Sequence, residues 1–387
     1  RTFFNTLFMM GADLSADLPA ELAGTGPPRL LNGPTSLTWI DPWVRWLERL
    51  GVRFVGETRV EALTLDRRAC VQSATLSGPA GTFEVSGDHF VMAVPLEELQ
   101  PLISESLADA SPVLGKLRRV GLDKTLGTMA GVQLYLRRDR PILRGHGSLP
   151  NSALGLTVVS PRQFWAGQYL PSGVEGVLSL CITAMDDSDF TTGVTGGRAT
   201  RKQLVESVIA QLRDCNDPDG NPLIEPDDVI GWHIDADFQY GADGLPSANR
   251  ACLLIHPPGQ LNWRPDAKTE IDNLVLAGDF VKTPIDLATM EGAVCSAFLA
   301  ANAVLERDGS DYELVLVQHD LRQKMEEPTF GRLKRLDEDR YRRNRMPLWL
   351  DDGAPMLPVT NVDEIDRRTQ AFLSSLEASM QADQGGA

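Results

Sequence analysis

The stretch 272–306, DNLVLAGDFVKTPIDLATMEGAVCSAFLAANAVLE, constrains the fold of this 387-residue chain more than any other. Leu274-Val275-Leu276-Ala277 is a short apolar run of the kind that forms a buried strand, and Gly278-Asp279 ends it. A loop containing Pro284 follows. From Ala288 the residues are small and helix-favouring, and Val294, Phe298, Ala301 and Leu305 recur at three- and four-residue spacing. This pattern predicts a helix with that face packed into the domain. The order is therefore strand, carboxylate, loop, helix. In an open α/β sheet the crevice at the carboxyl ends of the strands is where polar cofactors sit. There Asp279 can accept hydrogen bonds from a sugar-like hydroxyl. The first helical turn, at Thr289, Met290, Glu291 and Gly292, offers N–H donors and a positive dipole end to an electron-rich group. Gly292 leaves room for a flat ring against the backbone.

The two halves, Leu276-Ala277-Gly278-Asp279 and Ala288-Thr289-Met290-Glu291-Gly292-Ala293, together resemble the C-terminal flavin-binding motif of the flavin amine oxidase and phytoene desaturase superfamily, residue for residue. The resemblance implies FAD as the cofactor. It implies that Gly278 and Asp279 lie at the ribityl chain, with Asp279 binding it. The backbone from Thr289 through Met290, Glu291 and Gly292 to Ala293 is implied to face the pyrimidine side of the isoalloxazine ring.

The earlier part of the chain follows the order found in that superfamily. Residues 1–26, beginning RTFFNTLFMMG, read as an apolar helix of a substrate domain. Residues 27–95 read as the first part of an FAD-binding domain, entered through a Gly/Pro-rich linker at 24–28. Asp41-Pro42 is a helix start, with Asp as N-cap and Pro in the first turn. Trp43, Trp46, Leu47 and Leu50 follow at helical spacing, Gly51 ends the helix, and Arg53-Phe54-Val55 begins a strand. Arg59 to Leu65 is a second strand, and after a turn-rich stretch Ser86 to Pro95 contains a third. The resemblance implies that the Val60 backbone contacts the adenine of FAD. By its side chain alone Val60 is an inward strand residue, and Trp39 and Trp43 read as core.

Residues 96–263 change character and read as a substrate domain. They carry a charged helix from Glu97 to Leu107, strands at Met129–Leu136 and Val177–Ile182, a helix from the Thr200-x-x-Gln203 capping box to Leu212, and strands at Val229–Ile234 and Ala251–His256. Many strands and few helices predict a mainly antiparallel sheet. GVQLYLRRDRP resembles the matching strand of plant-type phytoene desaturases. The whole run resembles bacterial desaturase and hydroxysqualene-dehydroxylase-like oxidoreductases more than amine oxidases. Residues 264–308 return to the FAD-binding domain, and 309–387 form a C-terminal extension. The expected class is mixed α/β (α+β): an FAD-binding domain of the two-dinucleotide-binding-domain flavoprotein type, incomplete at its N-terminus, plus the substrate domain.

A formal net charge of -16 and a pI near 4.8 argue against a nucleic-acid partner, because phosphate contacts need clustered Lys and Arg. Cys70, Cys181, Cys215, Cys252 and Cys295 are scattered, without C-x-x-C, and read as small buried hydrophobes in a reducing compartment. Gly193 to Arg198 is glycine-rich but lacks G-x-G-x-x-G spacing, and Asp217 to Gly220 fails as a calcium loop. The five histidines share no spacing, so no metal site is expected. A cytoplasmic protein is expected, since no run of about twenty apolar residues occurs. The segment 330–345 carries seven basic and three acidic residues. It reads as a solvated, ion-paired helix face, with contact to anionic lipid headgroups at a membrane surface as the functional alternative.

Residues 1–60 contain no G-x-G-x-x-G strand-turn-helix for the diphosphate of FAD. We therefore expect a longer protein whose N-terminal FAD-binding segment is removed or supplied by a second chain. The function implied by the resemblance is FAD-dependent removal of hydride from a hydrophobic, isoprenoid-like substrate. Flavin amine oxidase and a non-catalytic, apolar-ligand-binding subunit are the alternatives. The superfamily's amine oxidases often place a Lys near the flavin. Lys116 and Lys124 are candidates without motif support here, and no catalytic acid or base is assigned.

Overall fold

A computed structural model describes residues 31–310, except 143–145, 150, 151, 168, 187–192, 217–219, 251, 258, 284, 286 and 287, together with five positions between 335 and 343. The chain divides into two compact units, Arg1–Val315 and Leu316–Ala387. In the second, Arg343 pairs with Asp339 at helical spacing, 3.0 Å apart. The remainder of the basic run 330–345, the helix expected in 1–26 and the linker at 24–28 lie outside the described residues.

The first unit's described part opens with a π-helical turn, Ser36–Ile40, that runs without a break into α1, Asp41–Arg49. Asp41 is thus inside a helix and not its N-cap. Pro42 lacks the N–H that would bond the carbonyl of Thr38 and its ring crowds that carbonyl, and the wider π turn relieves the clash. Gly51, at φ +93°, ends the helix as expected. No residue of the helix is buried. Trp39 and Trp43 stack at 6.4 Å, and Trp43 is 46% exposed, so they are not core residues. Arg53-Phe54-Val55 belongs to no strand, because no neighbouring edge among the described residues pairs with it.

β1 (Arg59–Leu65), β2 (Val71–Gly78) and β3 (Gly81–Val85) form an antiparallel sheet in that order. The β2-β3 hairpin falls in what the sequence presented as turns. β4 (Phe90–Met92) follows. The single helix expected over 97–107 is instead α2 (Leu96–Leu99), a 3-10 turn, α3 (Glu105–Ala110) and then α4 (Pro112–Leu117). Pro101 interrupts the backbone ladder, and the hydroxyls of Ser104 and Ser111 cap the new helices at Leu107 N and Leu114 N.

β5 (Leu126–Gly127), β6 (Ala130–Leu136), β7 (His146–Ser148), β8 (Leu156–Val159), β9 (Gly176–Ile182), α5 (Arg201–Arg213) and β10 (Val229–Ile234) come next. Strands β10-β6-β9-β8-β7 make one antiparallel sheet. Ala130, Val132, Leu134 and Leu136 point inward at two-residue spacing and meet Leu204, Val205, Val208 and Leu212 of α5. The Thr200/Gln203 capping box is present in full. After β11 (Phe238–Tyr240) and β12 (Pro246–Asn249), the strand expected over 251–256 shortens to β13 (Leu253–Leu254), which pairs with β5. β14 (Leu274–Leu276) pairs in parallel with β4, and α6 (Met290–Arg307) closes the unit. This half has its own core, including Leu96, Leu99, Leu117, Leu274 to Ala277, Phe280, Ala300 and Ala303.

Helix α6 corrects one expectation. Its buried face is Gly292, Cys295, Ser296, Ala300 and Ala303, while Val294 and Phe298 are 36% and 40% exposed and Ala301 is exposed. Small side chains let the helix lie close on β14, which a face bearing Phe298 could not do. The cysteines are free, yet of the five Cys295 alone is buried and the others are half-buried.

Candidate functional site

β4 and β14 run parallel in register, Phe90 against Leu274 and Met92 against Leu276, so both chains emerge at the same end. From β4 the chain continues into Val94-Pro95-Leu96-Glu97, and from β14 into Ala277-Gly278-Asp279. Gly278 has φ +132°, and a Cβ there would stand 2.9 Å from the Phe280 ring and 3.6 Å from Val94 O. The turn is open to glycine because any side chain would be both strained and crowded.

Ser296, fully buried on α6, joins the two halves of the motif. Its Oγ accepts from Gly278 N–H at 2.8 Å and donates to Ala293 O at 2.6 Å. At the other end of the helix, Arg307 donates to Leu274 O and Thr269 O, at 3.1 and 2.9 Å. Eleven helical residues rise about 16 Å and four strand residues about 13 Å, so the helix lies antiparallel along β14 and is tied at both ends. Its N-terminus therefore arrives beside the strand end that carries Asp279.

The Asp279 carboxylate takes no hydrogen bond or ion pair from the described residues and is half-buried. In the first turn of α6, Thr289 Oγ1 accepts from Gly292 N–H at 3.1 Å and Thr289 O from Ala293 N–H at 3.0 Å. Of the backbone the sequence offered from Thr289 to Ala293, Gly292 and Ala293 thus direct their N–H groups to Thr289, while Met290 and Glu291 N–H have no acceptor among the described residues. Met290 is 57% exposed, whereas Gly292 is buried on the core face. A carboxylate and two amides without partners among the described residues, a glycine at the turn and an 18-residue helix behind them suit a ligand that joins hydroxyls to an electron-rich ring edge.

Glu97 stands at the same end of the sheet. Burial raises its carboxyl above the usual range, its backbone hydrogen bond opposes this, and the nearby Asp279 and Glu98 carboxylates add to the rise. Burial likewise raises the Cys252 thiol, with the Glu97 charge contributing. Immediately past Cys252, Leu253 and Ile255 line a cavity of about 390 Å³ with Gly127, Met129, Met185 and Asp186. The cavity lies where β5 and β13 of one core reach the ends of β6 and β9 of the other.

Val60 sits on β1, paired with Leu76, and its neighbour Arg59 bonds Glu98 at 2.6 Å. This ties β1 to the helix that carries Glu97. Lys116 and Lys124 are exposed and do not line the cavity. The sequence reading missed Ser296, the cavity residues and Arg264, a buried guanidinium behind Asp279. For Ser296 a signal existed, since Gly292, Ser296 and Ala300 repeat at four-residue spacing.

A family model described as flavin containing amine oxidoreductase matches residues 40–305. A 60-residue stretch is 43% identical to the carotenoid phi-ring synthase of Streptomyces griseus, covering 16% of this chain and 12% of that protein. Among solved structures, an oxidoreductase from Methanosarcina mazei matches with a TM-score of 0.41 and 16% identity, over 70% of this chain and 54% of its own. p-Nitrophenol 4-monooxygenase PnpA from Pseudomonas putida DLL-E4 matches with a TM-score of 0.34 and 12% identity, over 81% and 62%. The chain thus spans less than two thirds of the length of each of these relatives. The chain belongs to the flavin containing amine oxidoreductase family, whose cofactor is FAD.

Proposed function

We propose that this chain is the larger, C-terminal part of an FAD-dependent oxidoreductase that removes hydride from a hydrophobic, isoprenoid-like substrate. The observation that carries the reading is the Asp279 carboxylate, without a partner among the described residues and held next to the N-terminus of α6 through Ser296. When bound, FAD supplies the two-electron acceptor for oxidation of a C–H bond. In this reading Asp279 accepts hydrogen bonds from the ribityl hydroxyls. The amides of Met290 and Glu291, with the helix dipole behind them, hold the electron-rich edge of the ring and favour negative charge there. The cavity beyond Cys252 receives the substrate, with Met129, Met185, Leu253 and Ile255 as its apolar lining.

The described residues hold no glycine-rich cradle for the diphosphate. We propose that an N-terminal segment or a second chain brings it, and the outer edge of β4, unpaired among the described residues and half-exposed at Val91, supports this. No helix of the described residues is long and apolar enough to cross a membrane. Contact of the basic run 330–345 with anionic lipid is part of the same proposal, and sedimentation with anionic vesicles tests it.

Asp186 at the cavity favours a second reading, oxidation of an amine whose cation it would attract. Co-expression with a G-x-G-x-x-G-bearing partner should give a yellow protein with a flavin spectrum, and a colourless complex would refute the flavin reading. Anaerobic bleaching by a polyene or isoprenoid supports the first substrate class, and hydrogen peroxide released on amines the second.

A further inference from the structure

We propose that Arg264 is a positioning residue of the flavin crevice: its buried guanidinium gathers the carbonyls of Asp279, Phe280 and Val281 and so sets the turn that presents Asp279. The inference rests on the flavin reading above and assigns a residue that the motif does not contain.

Arg264 is 3% exposed. Its Nη2 donates to Asp279 O and to Val281 O, both at 2.7 Å, and its Nε donates to Phe280 O at 3.0 Å. In an extended chain successive carbonyls point to opposite sides, so three that converge on one group require a tightly curled backbone. The curl is visible in the bond from Val281 N–H to Gly278 O at 3.2 Å, which makes Asp279 and Phe280 the central residues of a turn. Three carbonyl dipoles aimed at one point repel unless a cation lies between them. The adjoining backbone completes the tie, with Lys282 N–H donating to Pro265 O at 2.7 Å.

A planar guanidinium with five N–H groups in a fixed fork serves three acceptors at once, and an ammonium on a flexible stem does not reproduce that geometry. Arg264 therefore fixes the backbone from which the Asp279 carboxylate projects, while Ser296 fixes the preceding residue to the helix. The two restraints act on consecutive residues from opposite sides.

The test uses the full chain and riboflavin, which carries the ring and ribityl but no diphosphate. Arg264→Lys and Arg264→Met are titrated by quenching of flavin fluorescence, and backbone amide exchange is followed by mass spectrometry. A positioning role predicts that Arg264→Lys loses about tenfold in riboflavin affinity, the loss of one charge-assisted hydrogen bond. It also predicts faster exchange at 276–283 in the flavin-free variant, with β6, β9 and α5 as protected as in the parent. Should Arg264→Met fail to fold, Arg264→Lys, which keeps the charge and the stem, decides the matter. Parent-like affinity in Arg264→Lys overturns the proposal and leaves the flavin reading intact. Weaker binding with faster exchange throughout the chain also overturns it, since Arg264 then serves the fold alone. A parent chain that binds no riboflavin, with 276–283 well protected, refutes the flavin reading and the positioning role with it.

Discussion

Gly278, Asp279 and Ser296 divide the labour of the crevice, and their substitutions should behave differently. Gly278→Ala places a Cβ 2.9 Å from the Phe280 ring at a left-handed φ, and should destabilise the chain by about 1–3 kcal/mol in denaturant unfolding. Asp279→Ala removes a carboxylate that no described residue partners. It should leave stability within about 0.5 kcal/mol of the parent while lowering flavin retention in the reconstituted protein. A large stability loss in Asp279→Ala would mean that the carboxylate belongs to the fold. Asp279 and Gly278 were legible in the sequence because a strand followed by Gly-Asp is a local pattern. Arg264 was not, since nothing local marks an arginine fifteen residues upstream as the partner of that turn.

At the scale of the element, α6 shows why apolar spacing alone misassigns a face. The helix carries two stripes, a large one through Val294, Phe298 and Leu305 and a small one through Gly292, Cys295, Ser296, Ala300 and Ala303. Hydrophobicity favours burying the first. Close approach to β14, with Ser296 and Arg307 bonding to the strand's two ends, requires the second. Ala303→Leu, at a position with no exposure, should cost about 1–3 kcal/mol by overpacking, whereas Val294→Gln should change stability by about 0.5 kcal/mol or less in the same thermal unfolding series. Ser296→Ala strands the Gly278 N–H and should cost about 1–3 kcal/mol. The opposite ranking of Ala303→Leu and Val294→Gln would show that the helix is turned the other way.

For the whole first unit, two cores meet at the cavity, and the sheet of the second is closed by a buried acid. Asp228, 1% exposed, accepts from Arg138 Nε at 2.9 Å and from Arg140 Nη2 at 2.8 Å, joining the end of β6 to the start of β10. Burial would raise its carboxyl, but the two guanidinium groups outweigh burial and hold it below the usual carboxylate range. A carboxyl lowered in the folded state stabilises above its unfolded value, and that contribution is lost as pH falls through the folded value. Asp228→Asn should therefore cost about 2–3 kcal/mol at neutral pH, less than for fully buried pairs because both arginines reach solvent, and the cost should shrink below about pH 4. A pH-independent difference between parent and variant in acid unfolding curves would contradict this. Strands β6, β9 and β10, the α5 capping box and the two halves of the flavin motif could all be recognised from neighbouring residues, since alternation, capping and strand-end chemistry are short-range. The β2-β3 hairpin, the buried face of α6, the broken helix after β4, the Arg264 turn and the cavity could not. Each depends on which edges and side chains, tens of residues apart, come within a few ångströms, and close packing settles that contest only after the chain has folded.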